Sequence, residues 1–99
     1  MFGKPALKVH GRMFVCMASH KSAEPDSLVV RTDFEQRAEL LAADQDVYYI
    51  TDHYVGYPAV LVRLARVKPD VLRDVVGMAY RFVCRETGGR SRVARSRER

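Results

Sequence analysis

The stretch from Gly56 to Cys84, GYPAVLVRLARVKPDVLRDVVGMAYRFVC, joins a β-branched run directly to the longest amphipathic segment of the chain, and the remaining residues have to pack around that pair. Ala59 to Leu64 follows Pro58, which suits a strand start because proline cannot donate to a ladder. Val60, Val62 and Leu64 share one parity, which predicts a core-facing side. Pro69 then offers the fixed φ and missing N–H that a first helical position tolerates, and Asp70 places negative charge on the first turn. Leu72, Val75, Val76, Ala79, Tyr80 and Val83 recur at spacings of three and four. A helix from Pro69 would bury that stripe and leave Arg73, Asp74, Arg81 and Arg85 largely off it. Burying half a dozen such side chains is worth on the order of 10 kcal/mol before the entropy of ordering them is subtracted. The expected arrangement is a long helix lying on a sheet.

Upstream, Ala6 to Val9 and Met13 to Ala18 flank His10, Gly11 and Arg12 and read as a β-hairpin. The second arm, MFVCMA, is apolar on both parities, as expected of a strand covered on both faces or inside the sheet. Ser19 to Asp26 is polar, contains Pro25 and reads as a solvated loop or a long hairpin connection. Ser27 to Arg31 is a third strand, passing into Thr32-Asp33-Phe34-Glu35, which fits the S/T-x-x-E capping box. Phe34, Ala38 and Leu41 predict a short helix with Arg37 and Glu39 facing out. Val47 to Ile50 is a further short strand, and Thr51 to Pro58 a turn. The order predicts an α+β fold: an antiparallel β-sheet with a short middle helix and a long C-terminal helix packed on it. Gly88 suits a helix end, so residues 1–87 are read as the domain and 88–99 as an Arg/Ser-rich tail, disordered when free.

Composition narrows the function classes. Ninety-nine residues, 47% hydrophobic and 29% charged, suit one soluble domain. No apolar run reaches the length of a membrane span, and the start MFGKPALKV lacks a signal-peptide core, so a cytoplasmic protein without a membrane partner is expected. Cys16 and Cys84 are far apart, without a CxxC or Cys/His cluster, and read as buried thiols. The net charge of +5 is uneven: residues 88–99 hold five arginines against one glutamate, while residues 1–87 hold 12 basic against 11 acidic. His10, His20 and His53 lack paired metal-ligand spacing, Ser27 has no nucleophile elbow, Asp44, Asp46 and Asp52 lack the EF-hand pattern, and Gly-rich phosphate loops are absent. No enzyme activity, metal or cofactor is expected.

Three segments, PALKVHGRMFVCM, SLVVRTDFEQRAELL and GYPAVLVRLARVKPDVLRDVVGMAYRFV, together resemble the MmcQ/YjbR-like family of small bacterial proteins. The matching residues are Pro5, Gly11, Met13, Phe14, Val62, Leu64, Leu72, Ala79, Tyr80 and Val83, most of them packing and turn residues. The resemblance covers about Phe2 to Arg85. It implies a fold similar to the frataxin-like (CyaY-like) α+β sandwich and a DNA-binding role through a double wing of β-hairpins. Family members usually begin with a helix ahead of the first hairpin, whereas this chain starts at Met1-Phe2-Gly3-Lys4. That difference predicts an uncovered sheet face, favouring dimerisation, or a true start further upstream.

Two functional readings follow. In the first, Lys4, Lys8, Arg12 and Lys21 around the first hairpin, Arg63 and Arg66 after the later strand, and Arg90, Arg92 and Arg95 of the tail contact DNA or RNA phosphates. The same cations equally suit a charged, protected β edge and a solubilising tail. In the second, Tyr48, Tyr49, Tyr54 and Tyr57 beside His53 stack bases or form a protein-interaction or small-ligand surface, including a homodimer. About half of that cluster is expected to be core, since Tyr48 and Tyr49 alternate.

Overall fold

The computed structural model describes residues 6–88, and the elements follow the expected order. They are β1 (Ala6–Val9), β2 (Arg12–Met17), β3 (Ser27–Arg31), α1 (Phe34–Ala43), β4 (Tyr48–Tyr49), a 3-10 turn (Asp52–Tyr54), β5 (Ala59–Arg63) and α2 (Pro69–Gly88). The sheet runs β1-β2-β3-β5-β4 with every pair antiparallel. His10 and Gly11 link β1 to β2 at φ of 52° and 76°, the left-handed conformation of a two-residue hairpin turn whose twist matches the strands. Lys4 and the segment from Gly89 onward, with Arg90, Arg92 and Arg95, lie outside the described residues.

The double-parity pattern of β2 has a local cause. Leu7 pairs with Val15 but Lys8 with Met13, so Phe14 is the extra residue of a β-bulge. Phe14 and Val15 consequently both join the cluster beneath α2, while Met13 and Cys16 pack with the cluster on the opposite face. Under α2, Val30, Val60 and Val62 of the sheet meet Val75, Ala79, Phe82 and Val83. The helical stripe is therefore narrower than expected and includes Phe82. Tyr80, one residue round from Ala79, is 47% exposed and lies at the rim, edge-on to Phe14 with centroids 5.4 Å apart. Leu72 and Val76 are half-buried.

β5 is buried on both sides, which the alternation of Val60, Val62 and Leu64 did not anticipate. Ala59 and Leu61 are as inaccessible as Val60 and Val62, and Leu64 falls beyond the strand. The second face, where Val29, Ala59 and Leu61 lie, is covered by chain segments: Tyr54 caps them, with Ala18, Ala23 and Tyr49 around it. α1 differs most from expectation. Its N-cap is Asp33, which accepts the Gln36 N–H at 2.7 Å, one residue beyond the expected Thr32. Thr32 is buried and turns its hydroxyl to the Asp33 carbonyl at 3.3 Å. No α1 residue is buried, Phe34 is 50% exposed, and Leu40 and Leu41 supply the half-buried contacts instead. Arg37, expected to face out, turns to the segment after the 3-10 turn. It donates to the carbonyls of Tyr54 (3.1 Å), Val55 (2.9 Å), Tyr57 (3.0 Å) and Ala59 (3.3 Å). Cys16 and Cys84 are free thiols, half-buried rather than fully so.

Urea unfolding tests this packing. Leu61→Ala opens a cavity between the two layers and should cost about 2–5 kcal/mol, whereas Asp33→Ala removes one cap and should cost about 1 kcal/mol.

Candidate nucleic-acid interface

The sequence offers many cations, and local geometry separates those committed to the fold from the rest. Arg31, only 6% exposed, donates to the Pro58 carbonyl at 3.1 Å and to Glu86 Oε1 at 3.0 Å. Its guanidinium carbon also lies 5.1 Å from the Tyr57 ring centroid and 5.4 Å from that of Phe82. Arg63 forks onto both oxygens of Glu24 at 2.8 Å, and its remaining terminal nitrogen donates to the carbonyls of Gln45 (3.0 Å) and Asp46 (3.1 Å). The Tyr49 ring lies 4.2 Å beneath it. A bidentate carboxylate partner and two carbonyls leave Arg63 little donor capacity for a phosphate. Its hydrogen bonds hold the Glu24 carboxyl below the usual carboxylate range, against an opposing push from burial, and the charges of Arg63 and Arg66 add to the effect.

Other cations gather at two separate ends. Glu86, in the last turns of α2, lies 3.0 Å from Arg31 and 3.8 Å from Arg12, which brings the β1–β2 turn against the C-terminal end of that helix. Lys8 and Arg12 of the hairpin, and Arg81 and Arg85 of α2, are all exposed. Arg81 and Arg85 stand one turn apart, and Arg85 complements the partial negative charge of the helix end. The i, i+4 spacing of these arginines is the sequence signal that could have added them to the candidate site. Arg66 lies just before α2, roughly 25 Å from that end at 1.5 Å per helical residue. Lys21 belongs to the β2–β3 connection, with Glu24, the partner of Arg63.

The tyrosines take different places. Tyr48 and Tyr54 are 5% and 7% exposed, and Tyr49 is half-buried, its hydroxyl 2.6 Å from Ser27 Oγ and accepting the Glu24 N–H at 2.8 Å. Tyr57 and His53 are exposed. The segment Ser19 to Asp26 is the connection of the β2–β3 hairpin, largely exposed as expected, but it also docks on the 51–58 segment. The rings of His20 and His53 stack 3.5 Å apart and 10° from parallel, and Tyr54 stands edge-on to both. Nδ1 of His20 accepts the Ser22 N–H at 3.1 Å, and Ser22 Oγ lies 2.8 Å from Thr51 Oγ1. That acceptor role belongs to neutral imidazole protonated on Nε2. Among the described residues, no group of three or more His, Cys, Asp or Glu side chains is arranged to hold a metal ion, and no helix is long and apolar enough to cross a membrane.

A family model described as YjbR matches residues 1–82. Uncharacterized proteins of Mycobacterium bovis and of two Mycobacterium tuberculosis strains are each 44% identical to the chain over 41 residues. The match covers 41% of this chain and spans about a third (32%) of the length of those curated relatives. No solved structure matches the chain.

The histidine pair has a titration consequence. Partial burial, then the charges of His53 and Lys21, lower the His20 pKa from its ordinary 6.5. A histidine lowered in the folded state stabilises the fold fully above about pH 6.5 and loses that contribution as pH falls through the folded value. An NMR titration of the His20 ring should give a midpoint below 6.5 that moves up in His53→Ala. A midpoint at or above 6.5 in the unmodified chain would contradict the assignment.

Proposed function

The chain belongs to the YjbR family, and from that premise we propose that it is a non-enzymatic nucleic-acid-binding protein whose phosphate-contacting surface is the end where the β1–β2 turn meets the C-terminus of α2. The observation that carries this reading is the approach of Arg12 to Glu86, which brings the hairpin turn to the end of the helix that carries the exposed Arg81 and Arg85. The charge of Glu86 at that end is already shared by Arg31 and Arg12. In sequence, α2 is followed by Arg90, Arg92, Arg95, Arg97 and Arg99. Arginine and lysine neutralise phosphates and release counterions, giving affinity that is sequence-independent and salt-sensitive. The hairpin then acts as a wing laid against the backbone, where it positions the protein without reading bases. The tyrosine-bearing edge offers a partner less, since Tyr48 and Tyr54 are buried and the Tyr49 hydroxyl is engaged.

Fluorescence anisotropy with a short duplex at several salt concentrations tests the reading. Log affinity should fall linearly with log salt, and each cation removed, in Arg12→Gln or Arg85→Gln, should flatten the slope by about 0.9. Arg66→Gln, at the other end of α2, should leave the slope unchanged. Salt-independent binding, or no binding by the full chain, would refute it.

A further inference from the structure

At the opposite end of α2, a cavity of about 350 Å³ opens between α1, β4 and the first turn of the helix. Leu40, Val47 and Val71 form its apolar wall, and Tyr48, Asp44, Arg66 and Lys68 bring polar groups to it. The volume is that of a small-molecule site, mostly apolar with a few convergent polar groups. Three features of the cavity and the helix start beside it point to the same kind of occupant.

Tyr48 is 5% exposed, yet its hydroxyl makes no hydrogen bond with any described residue. Tyr48 lines the cavity, so its hydroxyl is a donor that the rest of the described chain leaves uncommitted. Burial, then the charge of Asp44, raises the Tyr48 pKa, so the group keeps its proton and is available as a donor. Arg66 and Lys68 form no side-chain hydrogen bond or ion pair with the described residues, although the charge of Arg66 is felt by Glu24, so two cations line the cavity against the single carboxylate of Asp44. Finally, the Lys68 carbonyl accepts the Leu72 N–H at 2.8 Å, which makes Lys68 the cap residue of α2. A lysine side chain has no acceptor, so the N–H groups of Asp70 and Val71 have no cap from it, and they stand at the positive end of a 20-residue helix.

We propose that this cavity binds a small amphipathic monocarboxylate. Its carboxylate meets Arg66, Lys68 and the N-terminus of α2, its aliphatic body covers Leu40, Val47 and Val71, and the Tyr48 hydroxyl donates to the carboxylate. Asp44 sets the charge limit. One of its oxygens accepts the Asp46 N–H at 3.0 Å, and its negative charge on the cavity wall disfavours a dianion such as phosphate. Asp70, in the first helical turn, carries a like charge but is not part of the lining. The site is distinct from the cationic end proposed for nucleic acid, with most of the length of α2 between them.

Calorimetric titration of the full chain with octanoate, 1-octanol and inorganic phosphate tests the proposal, together with methyl NMR shifts to locate the ligand. Octanoate should bind, with octanol and phosphate each at least about tenfold weaker, because each lacks half of the recognition. The shifts should centre on Leu40, Val47 and Val71. Arg66→Gln combined with Lys68→Gln, both at exposed positions, should weaken octanoate by about tenfold or more while leaving the unfolding midpoint near that of the unmodified chain. The near-isosteric Tyr48→Phe should weaken it severalfold without changing the unfolding midpoint. The proposal is overturned by absent octanoate binding, by equal binding of octanol, by indifference to the double substitution, or by shifts centred on the separate apolar groove of Leu7, Leu28 and Leu72.

Discussion

The guanidinium of Arg37 reaches four backbone carbonyls in the segment that crosses the open face of the sheet. A loop laid over an apolar face must find partners for the backbone groups it takes out of water, and this one does so through a side chain. With the carbonyls held, Tyr54 stays over Val29, Ala59 and Leu61, and β5 is buried on both sides. Arg31 and Arg63 make parallel contributions, the first to the Pro58 carbonyl and the second to those of Gln45 and Asp46. Arginine suits the task because its fork of donors is planar and permanently charged. The helices cover one face, while arginine-pinned segments cover the other.

That use of arginine sorts the charge. Three guanidinium groups are turned toward carbonyls, Glu24 and Glu86, so they add to net charge while offering few donors to an outside phosphate. Lys8, Arg12, Arg81 and Arg85 are the exposed cations near the hairpin turn and the α2 terminus, and Arg66 and Lys68 stand at the other end beside a cavity. A chain whose body is nearly neutral by count therefore has a local surplus where its pairing leaves one. The two ends also differ in what surrounds the charge: one is followed in sequence by further arginines, the other has apolar walls and the Tyr48 side chain.

The legible parts of the fold were those written in local signals. Pro69 and the spacing of Val75, Ala79 and Val83 mark α2, and His10-Gly11 marks the hairpin turn. The order of strands followed from runs of β-branched residues between turn residues. What stayed hidden depends on neighbours distant in sequence. Arg37 lies off the apolar line of its helix, and nothing within a turn of it reveals that carbonyls 17 to 22 residues later will claim it. Arg63 looked like a phosphate ligand until Glu24, 39 residues away, took its fork. The bulge at Phe14 and the stacking of His20 on His53 likewise arise from pairing between segments. The cap moved by one residue because Thr32 and Asp33 are both good caps, and burial of Thr32 left the role to Asp33.

The division of the arginines is most directly tested by backbone amide shift mapping of the full chain against a short DNA duplex. The account predicts that the largest perturbations fall on Lys8 to Arg12 and Arg81 to Glu86, while Lys21 to Glu24 and Arg63 to Lys68 stay near their free positions. Perturbations centred on Glu24, Arg63 and Arg66 would contradict it, since they would mean that Arg63 leaves its carboxylate and carbonyl partners to meet phosphate.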